Sequence, residues 1–452
     1  MSGPAFGGSQ LVQRVGEGIA STVTMHAIKT TTTKRSTRKA RSPTTDEMVS
    51  KAVDFKPPAS LPPLLDQVRA FLRENVIGLE QAAGKDFKAT LPALALVRAE
   101  AKRQGLWAPQ MPKELGGMGL GLLEHAYVSE VLGASPLGHY ALNCQAPDAG
   151  NMEILHDHGT SEQRERFLQP LVRGELRSCF SMTEPDKPGS NPVWMDTRAR
   201  LVEGQWIIDG HKWFTSSADG AHFAVVMAVT EADDAPLHKR ASMLLVPMST
   251  PGVKLVRNIS VMGEAGADWA SHAEVSYQDV RVPEANILGQ RGAGFAIAQE
   301  RLGPGRIHHC MRWLGICARA YDLMVERAVS RPIAPFRALG AQHVVQQWIA
   351  LSKIEIHAAR LAVLHAAWTI DALGQKAARD EISMIKVLVA RTLQSVLDRA
   401  IQAHGALGVS DDLPLAFWWR HERAARIYDG PDEVHLASIA RRALKQAGLD
   451  LP

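Results

Sequence analysis

Cysteine is scarce. The 452 residues hold four, Cys144, Cys179, Cys310 and Cys317. None forms a CxxC pair, which argues against a disulfide framework or a zinc site and for a reducing compartment. Long apolar runs are missing too, so no membrane span is expected. The net charge is only +4. Much of it lies in the first segment, and the near-neutral remainder offers no case for nucleic-acid or membrane-surface binding. The Gly-rich stretch Pro112–Leu120 lacks the Lys-Ser/Thr of a phosphate loop and follows no strand, so it reads as a tight turn between helices. His156-Asp157-His158 would point to different sides of a helix, and consecutive His308, His309 and Cys310 cannot converge on one ion. No metal site is expected.

What is present is an ordinary globular composition, 46% apolar, in a chain long enough for two or three domains or one multilayered unit. Residues 1–58 stand apart. They carry Arg14, Lys29, Lys34, Arg35, Arg38, Lys39 and Arg41, with only Glu17 acidic before Asp46. This basic, Ser/Thr-rich extension reads as a mitochondrial presequence, as a disordered basic tail, or as an over-extended start with the true one at Met25.

From 59 to 178 the apolar period is helical. Leu64, Val68, Phe71 and Leu72 share a face, and Leu91 begins a helix running to Gly105. At Cys179 the period switches. Residues 179–288 hold short β-like runs, among them Gln205–Ile208, Phe223–Val229, Ser242–Val246 and His272–Tyr277, and Asp209-Gly210 carries a hairpin signal. From 289 to 452 helices return, over Gln346–Ala372, Glu381–His404 and Pro414–Tyr428. Val345, Ile349, Ile356 and Val363 fit one face, as do Ile385, Val389, Thr392 and Val396. The expected fold is mainly α with an inserted β domain: an N-terminal helical domain, a β-barrel or sandwich, and a C-terminal four-helix bundle.

Near the C-terminus Arg426-Ile427-Tyr428-Asp429-Gly430-Pro431-Asp432-Glu433-Val434-His435 puts a carboxylate on a helix-breaking turn, with acids suited to the first turn of the next helix. By itself Asp429 reads as a polar turn residue.

Taken with three other motifs in order, this stretch resembles the acyl-CoA dehydrogenase family, from about residue 60 to 447. The others are Cys179-Phe180-Ser181-Met182-Thr183-Glu184-Pro185-Asp186, Asp209-Gly210-His211-Lys212-Trp213-Phe214-Thr215-Ser216-Ser217, and Gln402-Ala403-His404-Gly405-Ala406-Leu407-Gly408. The resemblance implies FAD as cofactor. Phe180, Met182 and Thr183 would line the flavin, and Ser190 would help hold cofactor or substrate. Phe214 would stack on the ring where the family often has Trp, and Ser216 would place a hydroxyl near N5. Gln402, Ala403 and Gly405 would meet the FAD pyrophosphate of a neighbouring subunit, implying a homodimer or a homotetramer built as a dimer of dimers. Arg331 and Phe336 stand near the family's Arg-x-x-Phe-Gly position, but the register is off by one and the Gly is missing. Arg306 corresponds to an Arg near the CoA end of the substrate, and it also reads as a surface ion pair.

The implied reaction is α,β-dehydrogenation of an acyl-CoA to trans-2-enoyl-CoA in fatty-acid β-oxidation or related acyl catabolism, with electrons passing to electron-transfer flavoprotein. The base would be Asp429, where the best-known members have Glu. An Asp-Gly-Pro-Asp-Glu-Val-His subgroup uses Asp. Burial would raise its pKa toward that of the α-proton. The alternative is a flavoprotein oxidase of the same fold, acting on an acyl-CoA or a nitroalkane. Localisation would be the mitochondrial matrix in a eukaryote and the cytoplasm otherwise.

Overall fold

The computed structural model describes residues 57–449, so the basic extension and its presequence reading lie outside the described residues. Helices α1 (Leu61–Phe71), α2 (Phe87–Arg103), α3 (Leu122–Gly133) and α4 (Asp148–His158) come first. Helix α2 begins one turn earlier than its apolar period suggests, because Asp86 caps it by accepting the Ala89 N–H at 3.0 Å. Val68, Phe71 and Leu72 are buried, as expected of one face.

Eight strands follow: β1 (Ser178–Ser181), β2 (Arg198–Val202), β3 (Gln205–Ser216), β4 (Phe223–Val229), β5 (Ala241–Pro247), β6 (Val253–Asn258), β7 (His272–Pro283) and β8 (Ile287–Leu288). They form one sheet in the order β6-β7-β3-β2-β4-β5-β8, with β1 parallel to β4. The hairpin expected at Asp209-Gly210 is elsewhere. Strand β3 runs straight through that dipeptide, with only a bulge against β7. The turn is at Glu203-Gly204, whose φ of 50° and 74° suit a tight two-residue connection between β2 and β3. Strand β4 is buried along its whole length. Alternate residues serve two cores: Phe223, Val225 and Met227 pack with the helices, and Ala224, Val226 and Ala228 pack inside the β domain.

Helices α5 (Gly294–Ser330), α6 (His343–Leu373), α7 (Arg379–His404), α8 (Pro414–His421) and α9 (Asp432–Gln446) complete the chain. Ile385, Val389, Thr392 and Val396 are all buried on α7. The long helix expected over Pro414–Tyr428 stops at His421 and tightens into a 3-10 turn over Glu422–Arg426. The reason is Glu422, whose carboxylate is drawn into the core by α5. Helix α5 is the hub, packing on α3, α6 and α7. It meets α3 glycine to glycine. A Cβ on Gly133 would sit 2.2 Å from the Arg312 carbonyl oxygen, and one on Gly315 would sit 2.1 Å from that of Glu130. No larger residue permits that approach.

Buried polar groups tie the three regions together. Asp148 of α4 accepts from Arg177 Nε at 2.8 Å and from the Ser178 N–H at 2.7 Å. Arg301 of α5 donates to Asn151 Oδ1 at 3.2 Å. Within the β domain, Lys212 donates to Glu184 Oε1 at 2.9 Å and to the Met182 carbonyl at 2.8 Å. Thr183 donates from Oγ1 to the Trp213 carbonyl at 2.8 Å. The two motifs are thus stapled side by side. Burial pulls the fully enclosed Lys212 ammonium down to about 8, against the raising effect of Glu184. All four cysteines are free and buried. Among the described residues no helix is long and apolar enough to cross a membrane, and no metal-ligand cluster occurs.

Removing one member of the Lys212–Glu184 pair strands the other charge. Lys212→Met should lower unfolding free energy by about 3–5 kcal/mol in a denaturant titration. Adding Glu184→Gln should recover part of it. A single-mutant loss under about 1 kcal/mol would show that the staple is dispensable.

Candidate functional site

Asp429 lies on the turn between the 3-10 segment and α9, in the left-handed region at φ 55°. Its main chain is held from two sides. Arg306 Nε donates to the Asp429 carbonyl at 3.0 Å, and His435 Nε2 donates to the same oxygen at 3.1 Å. Burial, then Arg306, push His435 down to about 4, so its ring is neutral with the proton on Nε2. Gly430, at φ 96°, lies so close that a Cβ there would be 2.7 Å from His435 Nε2. Asp432 anchors the next turn by accepting from Arg426 at 2.8 Å and Arg391 at 3.2 Å. The stretch from Asp429 to His435 is therefore one interlocked unit.

The Asp429 carboxylate faces His309, with Oδ2 3.1 Å from Nε2. Beneath the turn lies Lys386, wholly buried, donating to the carbonyls of Ala425 at 2.7 Å and Gly430 at 3.3 Å. Burial alone would raise the carboxyl. The charge and hydrogen bond of His309, then Arg306 and Lys386, outweigh it and hold Asp429 well below the ordinary carboxylate range. The raised pKa expected from burial is thus reversed in this structure, because the burial brings cations with it.

The turn is fastened to α5 through Glu422. Arg312 grips Glu422 through both carboxylate oxygens, one of them at 2.8 Å, and Trp313 Nε1 donates to it at 2.8 Å. Arg312 also donates to the Tyr428 hydroxyl at 3.2 Å. Desolvation opposes ionisation of Glu422, but Arg312 wins and its carboxyl falls to about 2.

The β-domain motifs reach this place by two routes. Ser216 Oγ is 2.8 Å from His272 Nδ1, and the His272 ring stacks 5.9 Å from His421, beside Glu422. Burial, then the His421 charge, push His272 down to about 4, so it is neutral. Arg301 lies 4.2 Å over the Phe180 ring and also feels the charge of Asp429. Phe214 is 44% exposed at φ 48°, in a bulge of β3 against β7, with Trp213 edge-on at 5.0 Å. It presents a flat apolar ring outward beside the Ser216 hydroxyl. Such a surface suits a planar heteroaromatic group.

Of the sequence-derived residues, Phe180, Met182, Thr183, Phe214, Ser216, Arg306 and Asp429 are therefore gathered in one chain. Ser190 is exposed on the loop between β1 and β2. Beside it a hollow of 380 Å³ lined by Asn191, Trp194 and Arg240 includes none of the neighbours of Asp429. Arg331 and Phe336 are not brought to Asp429. Arg331 is 22 residues beyond His309, about 33 Å along α5, and Phe336 is fully exposed at φ 61°. Gln402 and Gly405 are exposed and Ala403 is buried, at the end of α7 about 24 Å from Lys386. Sequence reasoning missed His309, Lys386, Glu422, Arg312 and Arg301. One signal was legible for Lys386: it interrupts the apolar stripe of Ile382, Ile385 and Val389. For the others no local pattern marks the role.

Gly430→Ala should both strain the backbone and displace His435 from the Asp429 carbonyl. A loss of about 1–3 kcal/mol is expected in thermal or denaturant unfolding. The loss should shrink in a His435→Ala background, where the clash is gone. Equal losses in both backgrounds would show that the glycine acts only through φ.

Comparison with known proteins places the chain in a family. Three consecutive family models match: the acyl-CoA dehydrogenase N-terminal domain at residues 63–175, the middle domain at 179–280 and the C-terminal domain at 292–444. A Mycobacterium tuberculosis protein named as an acyl-CoA dehydrogenase, FadE2, is 46% identical over 408 residues, covering 88% of this chain and 97% of its own. Rat acyl-CoA dehydrogenase family member 11 is 41% identical over 399 residues, covering 86% of this chain. The chain spans only 51% of that longer relative. A solved Mycobacterium abscessus structure described as an acyl-CoA dehydrogenase superposes with a TM-score of 0.82 at 37% identity, covering 87% of this chain and all of its own. With the helical, β and helical regions matched in order, the chain belongs to the acyl-CoA dehydrogenase family.

Proposed function

We propose that the protein catalyses FAD-dependent α,β-dehydrogenation of an acyl-CoA, with Asp429 as the base that removes the α-proton. The observation that carries this reading is the Asp429 turn. A carboxylate held ionised is clamped by its own main chain onto α5, linked to the Phe180 segment through Arg301 and to Ser216 through His272 and His421. Phe180, Met182, Thr183, Phe214 and Ser216 would hold the flavin ring, and the bound FAD supplies the hydride acceptor. His309 orients the carboxylate. Arg306, by holding the Asp429 carbonyl, keeps the turn in place, and its CoA-side role is a further part of the proposal. Asp is one methylene shorter than Glu, about 1.5 Å of reach, so the turn and not the side chain must supply the approach. The Asp base is read as the mark of a subgroup.

Electron-transfer flavoprotein is the proposed acceptor and β-oxidation or related acyl catabolism the proposed setting, in the mitochondrial matrix of a eukaryote or the cytoplasm otherwise. A homodimer or homotetramer is supported by exposed Phe336, Gln402 and Gly405. They lie too far along α5 and α7 to serve Asp429 of their own chain and are open to a second copy. The second reading, an oxidase of the same fold, is separated by oxygen consumption against reduction of electron-transfer flavoprotein.

Asp429→Asn should retain FAD and lose flavin bleaching by an acyl-CoA at least ~100-fold. Full-rate bleaching would remove Asp429 as the base. His309→Gln should raise the Asp429 pKa by removing a favourable charge and hydrogen bond. Less base is then ionised in acid, so the acid limb of the kcat/KM profile should move to higher pH. An unmoved limb would show that His309 does not govern the carboxylate.

A further inference from the structure

The Ser216 hydroxyl has one hydrogen-bond partner among the described residues, His272, with Oγ 2.8 Å from Nδ1. The sheet builds this pair. Ser216 of β3 and His272 of β7 stand directly opposite each other, just past the bulge that holds Phe214. The backbone around both is pinned. The Ser217 N–H donates to the Ser271 carbonyl at 2.8 Å, Ser217 Oγ donates to the Trp269 carbonyl at 2.8 Å, and the Ile259 N–H donates to the His272 carbonyl at 2.7 Å. Rings hold the imidazole itself. His421 stacks on it at 5.9 Å, Phe214 lies 6.3 Å away, and Phe417 continues the stack beyond His421 at 5.4 Å. His272 lies outside all four motifs that carried the family resemblance.

A hydroxyl donates one hydrogen bond and accepts two. Which of these Ser216 offers outward depends on His272. The ring is neutral, so one of its nitrogens is an acceptor. Nδ1 is within reach of the Ser216 proton, and among the described residues nothing else takes that proton. The hydroxyl therefore donates inward to Nδ1 and turns its lone pairs outward, beside the exposed Phe214 ring. A charged imidazole would do the reverse, donating from Nδ1 and leaving the hydroxyl proton to face out.

Flavin N5 accepts a hydrogen bond when oxidised and carries an N–H when reduced, so an outward acceptor matches the reduced state. We propose that His272 is a positioning residue: by taking the Ser216 proton it makes the hydroxyl an acceptor toward the bound cofactor and favours reduced over oxidised FAD. The proposal rests on the reading that Ser216 faces the redox-active edge of FAD in a dehydrogenase.

The test measures the midpoint potential of the FAD-loaded protein by dye-coupled reduction. His272→Phe keeps a ring in the stack and removes the acceptor. It should shift the equilibrium about 10-fold toward oxidised FAD, a potential about 30 mV lower for a two-electron couple. His272→Asn, whose side-chain carbonyl can replace Nδ1 as acceptor, should restore most of the potential. Ser216→Ala should lower it as His272→Phe does, and it is the second variant should His272→Phe fail to fold. Adding His272→Phe to Ser216→Ala should lower it no further. An unmoved potential in His272→Phe, or full additivity of the two changes, would overturn the role. A raised potential would overturn the direction assigned to the hydroxyl. Flavin bleaching of wild-type protein by an acyl-CoA is run in parallel. Bleaching with an unmoved potential in His272→Phe overturns this role alone. A lowered potential without bleaching by any acyl-CoA supports the role and overturns the dehydrogenase reading, and a protein that takes up no FAD overturns both.

Discussion

One buried carboxylate organises the reactive end of the molecule. Glu422 is 1% exposed and is satisfied by Arg312 and Trp313 from α5, with Tyr428 completing the cluster. A charge so deeply placed is tolerable only when its partners are held in register. Meeting that condition fixes three things at once: the break of α8 into a tighter turn, the seat of Tyr428, and the position of the following residue. Helix α5 can supply two adjacent donors because the Gly133–Gly315 contact locks it against α3. The geometry of the site thus traces back to a helix crossing some distance from it.

Around Asp429 two electrostatic effects compete. Loss of water favours the protonated acid, whereas His309, Arg306 and Lys386 favour the anion, and the cations prevail. The turn therefore presents a charged carboxylate, and its proton affinity depends on how far those neighbours are engaged elsewhere. Lys386 is largely committed to two backbone carbonyls and Arg306 to a third. That leaves His309 as the group whose position bears most directly on the carboxylate.

Much of the fold was legible in the sequence because it rests on periodicity. The stripe on α7 and the switch to alternating strands near Cys179 are local patterns, and both appear where apolar spacing puts them. The Asp209-Gly210 hairpin failed for a specific reason: a turn dipeptide also suits a bulge, and Glu203-Gly204 just upstream took the turn. The helix expected through Tyr428 failed because an inward-facing Glu422 outweighed helical propensity. At the site, motif residues such as Phe214 and Asp429 were visible because they are contiguous. His309, Arg312 and Lys386 were not, since their roles come from helix crossings that bring together residues about 40 to 120 positions apart. The pairing of Lys212 with Glu184 was hidden inside two motifs otherwise read for a cofactor.

The contacts that hold Asp429 are made to its carbonyl oxygen, by Arg306 and His435. Placement and reactivity are consequently written in different atoms. The main chain sets where the residue stands, and the side chain sets only how far it extends and how strongly it binds a proton. A carboxylate of either length can be mounted on such a turn without disturbing its fastening. The tip of the side chain can therefore be changed while its mounting stays as it is.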